Sequence, residues 1–245
     1  MTALWARLRG VAAAGRCPAC GAVAAKADMP GMGLCVSCAG ALTLRTRGFC
    51  PGCAALSQAA DMAPILCGEC RLRPRVWSAA GCFGSYEGLL RDLVLRFKFG
   101  GAMAGVALLR ELVWRTYAFH RERPDGFSGR PDVVTAVPLH RRRLRARGYN
   151  QSLELAKGVA ARLGVTVFAD ALRKVRQTSP QSGLTARERR INLKDAFVAD
   201  ANVAAGKNVL VVDDVMTTGS TLEEAARVLL RAGACRVEVL VLARD

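Results

Sequence analysis

The sequence predicts an α/β fold, a parallel sheet with helices on both faces, preceded by a small cysteine-rich module. Three observations predict it. Val209-Leu210-Val211-Val212 is an uninterrupted aliphatic run that ends in Asp213-Asp214, as a strand buried on both faces would. The elements after residue 130 alternate as strand, helix, strand, loop, strand, helix, strand, an order that builds a parallel sheet. Eight of the ten cysteines fall between residues 17 and 70, spaced as four C-x-x-C units.

Composition narrows the function. The chain has 245 residues and is 51% hydrophobic, enough for a sizeable core, which excludes global disorder. Its 36 Lys+Arg outweigh 20 Asp+Glu, for a formal charge of +16. Such a surplus favours anionic partners: nucleic acid, phosphorylated ligands, or an acidic membrane surface touched peripherally. No apolar run approaches the ~20 residues of a membrane span. Arg7 and Arg9 break up the short Ala/Val patch before Arg16, which makes a poor signal peptide. The expected compartment is therefore the cytoplasm, where ligand or thiol roles outrank disulfides.

The first module spans residues 1–75. Its units are Cys17/Cys20, Cys35/Cys38, Cys50/Cys53 and Cys67/Cys70. A two-residue gap lets both thiolates of a unit face one metal, and two units about fifteen residues apart fit a four-cysteine zinc ribbon. The pattern occurs twice, over 17–38 and 50–70, and so predicts two structural Zn²⁺ ions. Consecutive pairing is the preferred arrangement, with crossed pairing left open. Thioredoxin-like redox chemistry is the weaker alternative, because no βαβ pattern surrounds the units. Cys82 and Cys235 lie outside the repeat and read as buried small hydrophobes. Arg71 to Arg75 is a basic, proline-containing linker.

The second module spans residues 76–245. Val76 to Tyr86 reads as extended and turn-like. Tyr86 to Phe99 carries Leu89, Leu90, Leu93, Val94 and Phe97 at helical spacing, with Arg91, Arg96 and Lys98 interspersed. Ala102 to Phe119 reads as a second helix, and 120–130 as a polar loop in which His120 is a solvated helix end. Val133 to Val137 is a buried strand stopped by Pro138. After Leu139 and His140, five arginines (Arg141, Arg142, Arg143, Arg145 and Arg147) lead to Tyr149 and a helix from about Ser152 to Leu163. Charge runs are usually solvated loops. This one follows the carboxyl end of a strand, the edge where open α/β sheets bind ligands, and guanidiniums there suit a pyrophosphate or a nucleic-acid backbone. Tyr149 is the one ring in this loop able to stack a base.

Val165 to Phe168 reads as a short strand. Residues 172–195 are the least regular stretch, either disordered or a functional lid, with Thr185 and Glu188 able to form a capping box. The strand 209–212 then leads to Thr217-Thr218-Gly219-Ser220-Thr221 and a helix over 221–232, closed by Gly233, before a last strand, Val237 to Leu242. Hydroxyls, a glycine and the free N–H groups of a helix start make a cradle for a phosphate monoester. Asp213 and Asp214 repel phosphate but suit ribose hydroxyls, so the pair of features describes a ribose 5-phosphate. A Walker B reading needs a G-x-x-x-x-G-K-[ST] loop, which the chain lacks.

The stretch from Val209 to Thr221 resembles the thirteen-residue signature of type I phosphoribosyltransferases, which bind phosphoribosyl pyrophosphate (PRPP). Val137-Pro138-Leu139-His140, Arg147-Gly148-Tyr149-Asn150-Gln151 and the spaced residues Thr178, Gln181, Leu184, Arg189 and Asn192 extend the match. With the cysteine knuckles, nearly the whole chain resembles the ComF family of double-zinc-ribbon phosphoribosyltransferases. The resemblance implies a type I phosphoribosyltransferase fold, with Mg²⁺ accompanying PRPP. It implies that Asp213 and Asp214 take the ribose hydroxyls and that Met216 to Thr221 hold the 5-phosphate. Leu139 and His140 would begin the pyrophosphate loop, and Arg173, Lys174 and Arg176 would belong to a flexible catalytic loop near 173–190. Family members are associated with natural competence and the handling of incoming single-stranded DNA, often beside a helicase; others occur without an evident competence role.

Three functional classes follow. The chain is an enzyme passing ribose 5-phosphate from PRPP to an acceptor nitrogen the sequence does not identify, or a nucleic-acid-binding module that keeps the PRPP site as a sensor. In the third class it is a zinc-stabilised adaptor that docks a helicase.

Overall fold

The computed structural model describes residues 14–29, 31–99, 105–176, 178 and 186–245. The described chain begins with a short antiparallel pair, β1 (Ala14–Arg16) and β2 (Val23–Ala25), followed by helices α1 (Val36–Ala41) and α2 (Gly68–Leu72). Then come β3 (Ala79–Ser85), α3 (Gly88–Phe99), α4 (Val106–Arg121), β4 (Val133–Ala136), α5 (Arg141–Arg147) and α6 (Gln151–Leu163). The remainder is β5 (Leu172–Lys174), α7 (Ala186–Leu193), β6 (Phe197–Ala199), α8 (Ala201–Ala204), β7 (Asn208–Met216), α9 (Ser220–Arg231) and β8 (Arg236–Arg244).

Four strands form a parallel sheet in the order β3–β8–β7–β4. Val211 of β7 stands opposite Thr135 on one side and Val239 on the other. Alternate residues of these strands feed two separate cores, as the two-residue repeat of a strand requires. Leu210, Val212, Leu240 and Leu242 pack under α3, α4 and α6, while Val209, Val211, Val237, Val239 and Val241 pack under α9. Helices therefore cover both faces, as the sequence predicts. The cysteine module follows the same division. Cys17, Cys38, Leu34 and Leu42 join the first core; Cys50, Cys53, Cys70 and Trp77 join the second. Each half of the tandem repeat is fastened to its own face of one sheet, which supplies the core the module lacks by itself.

Several elements differ from the sequence reading. The extended segment before Tyr86 is an edge strand of the main sheet; its Ala79, Ala80, Gly81 and Gly84 never present an aliphatic run. Val165 to Phe168 forms no ladder with the sheet: a Val134–Val167 bridge and the Thr135 hydroxyl, which donates to Phe168 O at 2.8 Å, join it to β4 before a 3-10 turn takes over. The arginine run is a helix, α5, not a loop: His140 Nδ1 accepts from Arg142 N at 3.3 Å as N-cap, and Gly148 closes the other end in the left-handed region. Residues 172–195 hold order at both ends, in the β5–β6 antiparallel pair and in α7. Pro180, Gln181, Leu184 and Thr185 lie outside the described residues. The second helix begins at Val106 and ends at Arg121, so the reading from Ala102 falls partly outside them too. Cys82 is buried as expected, but Cys235 is exposed, because it sits in the turn before β8 rather than inside it.

His120 is the largest correction. It is 2% exposed, not solvated. Its ring packs edge-on against Phe49 and Phe119 and lies 5.6 Å from Phe127. Gly81 makes room for it, since a Cβ at that position would stand 2.8 Å from Phe127 and 3.0 Å from His120. Burial, with Arg123 nearby, pushes the imidazole down to about 4. The unfolded chain therefore binds a proton that the folded one refuses between roughly pH 6.5 and 4, and stability falls as pH falls through that window. In thermal unfolding, His120→Phe should lose less Tm than wild type between pH 6.5 and 4. Parallel profiles for the two proteins would contradict this burial.

Candidate functional site

The carboxyl ends of the parallel strands open on one edge of the sheet, and β7 brings its two carboxylates there. Below them the backbone is locked into ladders on both sides; above them the chain turns at Thr217 to Gly219 and starts α9. Gly219 is the N-cap, at φ +80°, a conformation costly for any residue with a Cβ. Thr218 Oγ1 and Ser220 Oγ lie 2.8 Å apart, and Ser220 N donates toward Thr218 Oγ1 at 3.4 Å. The end of β8 holds the turn in place: Arg244 donates to the carbonyls of Met216 and Thr217, and Asp245 N donates to Met216 O at 3.0 Å. A cavity of about 360 Å³ lies over this turn, lined by Tyr86, Lys98, Asp213, Thr217, Ser220 and Thr221.

Two side chains that the sequence reading does not assign to the site complete it. Ser152, at the start of α6, donates its hydroxyl to Asp213 Oδ1 at 2.7 Å. Lys98, in the last turn of α3, stands 3.1 Å from Asp214 Oδ1. Ser152 directly follows the Arg147–Gln151 motif and is within reach of sequence reasoning. Lys98 reads in sequence as one more charge on an amphipathic helix, and only the packing of α3 over the strand ends reveals it. Burial, and then the neighbouring Asp214, pushes Asp213 up to about 7, against the hydroxyl of Ser152, the amide of Asp214 and Lys98. Burial, and then Arg143 and Arg176, brings Lys174 down to about 8, with Asp213 pulling the other way. An acid and a base both moved toward neutrality, with Asp213 acting on Lys174, make this region the candidate functional site.

Six of the remaining predicted residues gather in a second, larger cavity of about 720 Å³. Leu139, His140, Arg141, Tyr149, Arg173 and Lys174 line it. Lys174 Nζ donates to Thr178 Oγ1 at 2.9 Å and lies over the Phe197 ring. Arg176 points elsewhere, donating to the carbonyls of Asn192 at 2.9 Å and Lys194 at 2.6 Å, where it ties down the end of α7. Arg142, Arg143 and Arg145 are exposed on α5; Arg147 is half-buried, bonded to Gln151 and set over Phe99. Tyr149 is not a free platform. Its ring packs on Phe97 and its hydroxyl donates to the Phe97 carbonyl.

The cysteines form two groups of four, Cys17/Cys20/Cys35/Cys38 and Cys50/Cys53/Cys67/Cys70, each with all sulfurs within 4.8 Å. This is the consecutive pairing. A tetrahedral ion with Zn–S of about 2.3 Å holds its sulfurs about 3.8 Å apart; Cys20 and Cys35 stand at 3.8 Å, Cys53 and Cys67 at 3.7 Å. The donor set fits structural zinc. The repeat extends to the backbone. Cys35 and Cys67 are the N-caps of α1 and α2, and the knuckles close through Gly21 N to Cys17 O and Ala54 N to Cys50 O. Gly21 and Ala54 both have positive φ. The Cys53 thiol, with the amides of Cys67, Cys53 and Gly52, holds Cys50 down to about 4 against burial, while the same pairing pushes Cys53 up.

Comparison with known proteins points to one family. The model of the phosphoribosyl transferase domain family matches residues 150–245, a span that holds Ser152, Lys174, β7 and its turn but neither Lys98 nor the arginine helix. The DNA utilization protein YhgH of Salmonella typhimurium (strain LT2) is 38% identical over 178 residues, 73% of this chain and 77% of that protein. Competence protein F of Haemophilus influenzae is 33% identical over 180 residues, 73% and 78% of the two chains. Among solved structures, the glutamine PRPP amidotransferase from B. subtilis complexed with ADP and GMP is similar over 59% of this chain and 30% of that one, at 23% identity and a TM-score of 0.39.

The raised Asp213 has a consequence for stability. The folded chain keeps its proton up to about pH 7, whereas an unfolded aspartate releases it near 4. The folded state is therefore favoured most below about pH 4, and this contribution is lost as pH rises toward 7. Asp213→Asn, which cannot ionise, should lose less Tm than wild type from pH 4 to 7. Thermal unfolding of the two proteins across that range checks it, and parallel curves would contradict it.

Proposed function

Because the chain belongs to the ComF family, we propose that it binds PRPP or ribose 5-phosphate, with Mg²⁺, over the turn after β7 and couples that site to single-stranded DNA in natural competence. The observation that carries this reading is the cavity in which the hydroxyls and helix-start amides of 217–221 sit beside Asp213, held by Ser152. The turn takes the 5-phosphate. Asp213 and Asp214 accept from the ribose hydroxyls, and as hard oxygen donors they suit the Mg²⁺ that neutralises pyrophosphate charge. Lys98 is the cation released when a sugar hydroxyl takes its place on Asp214. His140, Arg141 and Lys174 face the pyrophosphate side, where preorganised positive charge stabilises a departing anion if transfer occurs. Thiolate ligands suit a reducing compartment, which supports a cytoplasmic role. No described helix is long and apolar enough to cross a membrane.

A second reading, nucleic-acid binding without catalysis, draws on α5, which holds Arg141, Arg142, Arg143 and Arg145 exposed on one short helix. One pyrophosphate does not need so many guanidiniums, and a strand of phosphates does.

Two experiments test these proposals. By calorimetry, Asp213→Ala with Asp214→Ala should weaken ribose 5-phosphate binding on the order of 100-fold, as loss of two charge-assisted hydrogen bonds implies, while the fold survives; undiminished affinity would rule the site out. Replacing Arg141, Arg142 and Arg143 with alanine should weaken single-stranded DNA binding and flatten its salt dependence by about 0.7 per lost phosphate contact. Wild-type affinity at every salt concentration would remove α5 from the DNA surface.

A further inference from the structure

The second cysteine cluster reaches the turn after β7 through Trp77. Trp77 is 4% exposed and bridges the two. Its Nε1–H donates to Gly52 O at 2.7 Å, inside the Cys50–Cys53 knuckle. The far edge of its ring stands 3.2 Å from where a Cβ would project at Gly219, the left-handed cap of α9. A second bridge runs beside it. Arg75 lies over the Trp77 ring, pairs with Glu69 at 3.1 Å within the knuckle helix α2, and stands 4.0 Å from Glu223 in the first turn of α9. The knuckle is in turn anchored to the sheet through Ala80 N and Pro51 O at 3.3 Å. One contact, from Trp77, thus reaches the turn and a second, from Arg75, reaches the first turn of α9, both from a cluster whose own fold depends on four thiols held together.

We propose that the second cysteine cluster and the phosphate turn form one thermodynamic unit, coupled through Trp77 and Arg75, in which metal at Cys50, Cys53, Cys67 and Cys70 and ribose 5-phosphate at 217–221 strengthen each other's binding. The proposal rests on the phosphate reading of the turn given above. Metal fixes the knuckle, the knuckle fixes the indole, and the indole limits where Gly219 and the amides after it can stand. Linkage makes the effect reciprocal: whatever factor the metal adds to phosphate affinity, phosphate adds to metal affinity. Trp77 is a positioning residue in this scheme, since its indole is aimed at backbone and not at the cavity. The first cluster, seated on the opposite face of the sheet, is the internal control.

The test uses the zinc-loaded full chain, challenged with a chelator and N-ethylmaleimide, with and without saturating ribose 5-phosphate. Peptide mass spectrometry reads alkylation at each cysteine. Ribose 5-phosphate should protect Cys50, Cys53, Cys67 and Cys70 on the order of fivefold or more, the lower end of ordinary coupling, and leave Cys17, Cys20, Cys35 and Cys38 unchanged. Trp77→Phe, which keeps a ring but loses the N–H to Gly52, should cut that protection while both clusters still load with zinc. Equal protection of the two clusters, or none, while calorimetry shows ribose 5-phosphate binding, overturns the coupling alone. If calorimetry shows no binding, the phosphate reading of the turn fails and the coupling falls with it.

Discussion

β7 lies between β8 and β4 with its aliphatic side chains buried on both faces, and a strand in that position has no freedom of register. Slipping it by one residue would exchange the two cores. The same ladder dictates where the strand can stop being apolar, which is only beyond its last fully enclosed pair. Asp213 and Asp214 occupy that point. Ser152 reaches Asp213 from α6 and Lys98 reaches Asp214 from α3, while Arg244, from the neighbouring strand end, holds the turn that follows. A parallel sheet sends all these ends to one edge, so the residues need not be near one another in sequence to meet.

Much of this is legible in the chain itself. An unbroken aliphatic strand and a hydroxyl-rich turn are local signals, and so is a C-x-x-C unit; each carries its meaning within a dozen residues. What escapes the sequence depends on contacts between distant elements. β3 carries Ala79, Ala80, Gly81 and Gly84, and at Gly81 His120 of α4 and Phe127 leave no room for a Cβ, so its burial comes largely from its neighbours. His120 itself looks like a polar helix end until Phe49, far away in sequence, and Phe127, in the loop that follows the helix, close over it. The arginine run reads as a loop because repulsion disfavours a helix of like charges; a histidine cap and a left-handed glycine at its two ends overcome that.

Electrostatics divides the site. The β7 side joins carboxylates to hydroxyls and one lysine; the α5 side is guanidinium-rich and open to solvent. Between them, Asp213 and Lys174 are both pulled toward neutrality, one by burial beside a like charge and the other by burial among arginines. A ligand bearing a sugar diol next to phosphates satisfies both halves at once, and a polyanion satisfies only the second. The cysteine module is built into the same logic, because each of its clusters completes one face of the sheet that positions the site.

The most direct measurement is a crystal structure with ribose 5-phosphate and Mg²⁺. The account places the phosphate on the amides and hydroxyls of 217–221 and the sugar hydroxyls on Asp213 and Asp214, with Lys98 displaced from its ion pair. A phosphate found instead among His140, Arg141 and Arg173, with the Lys98–Asp214 pair intact and the turn after β7 empty, would contradict it.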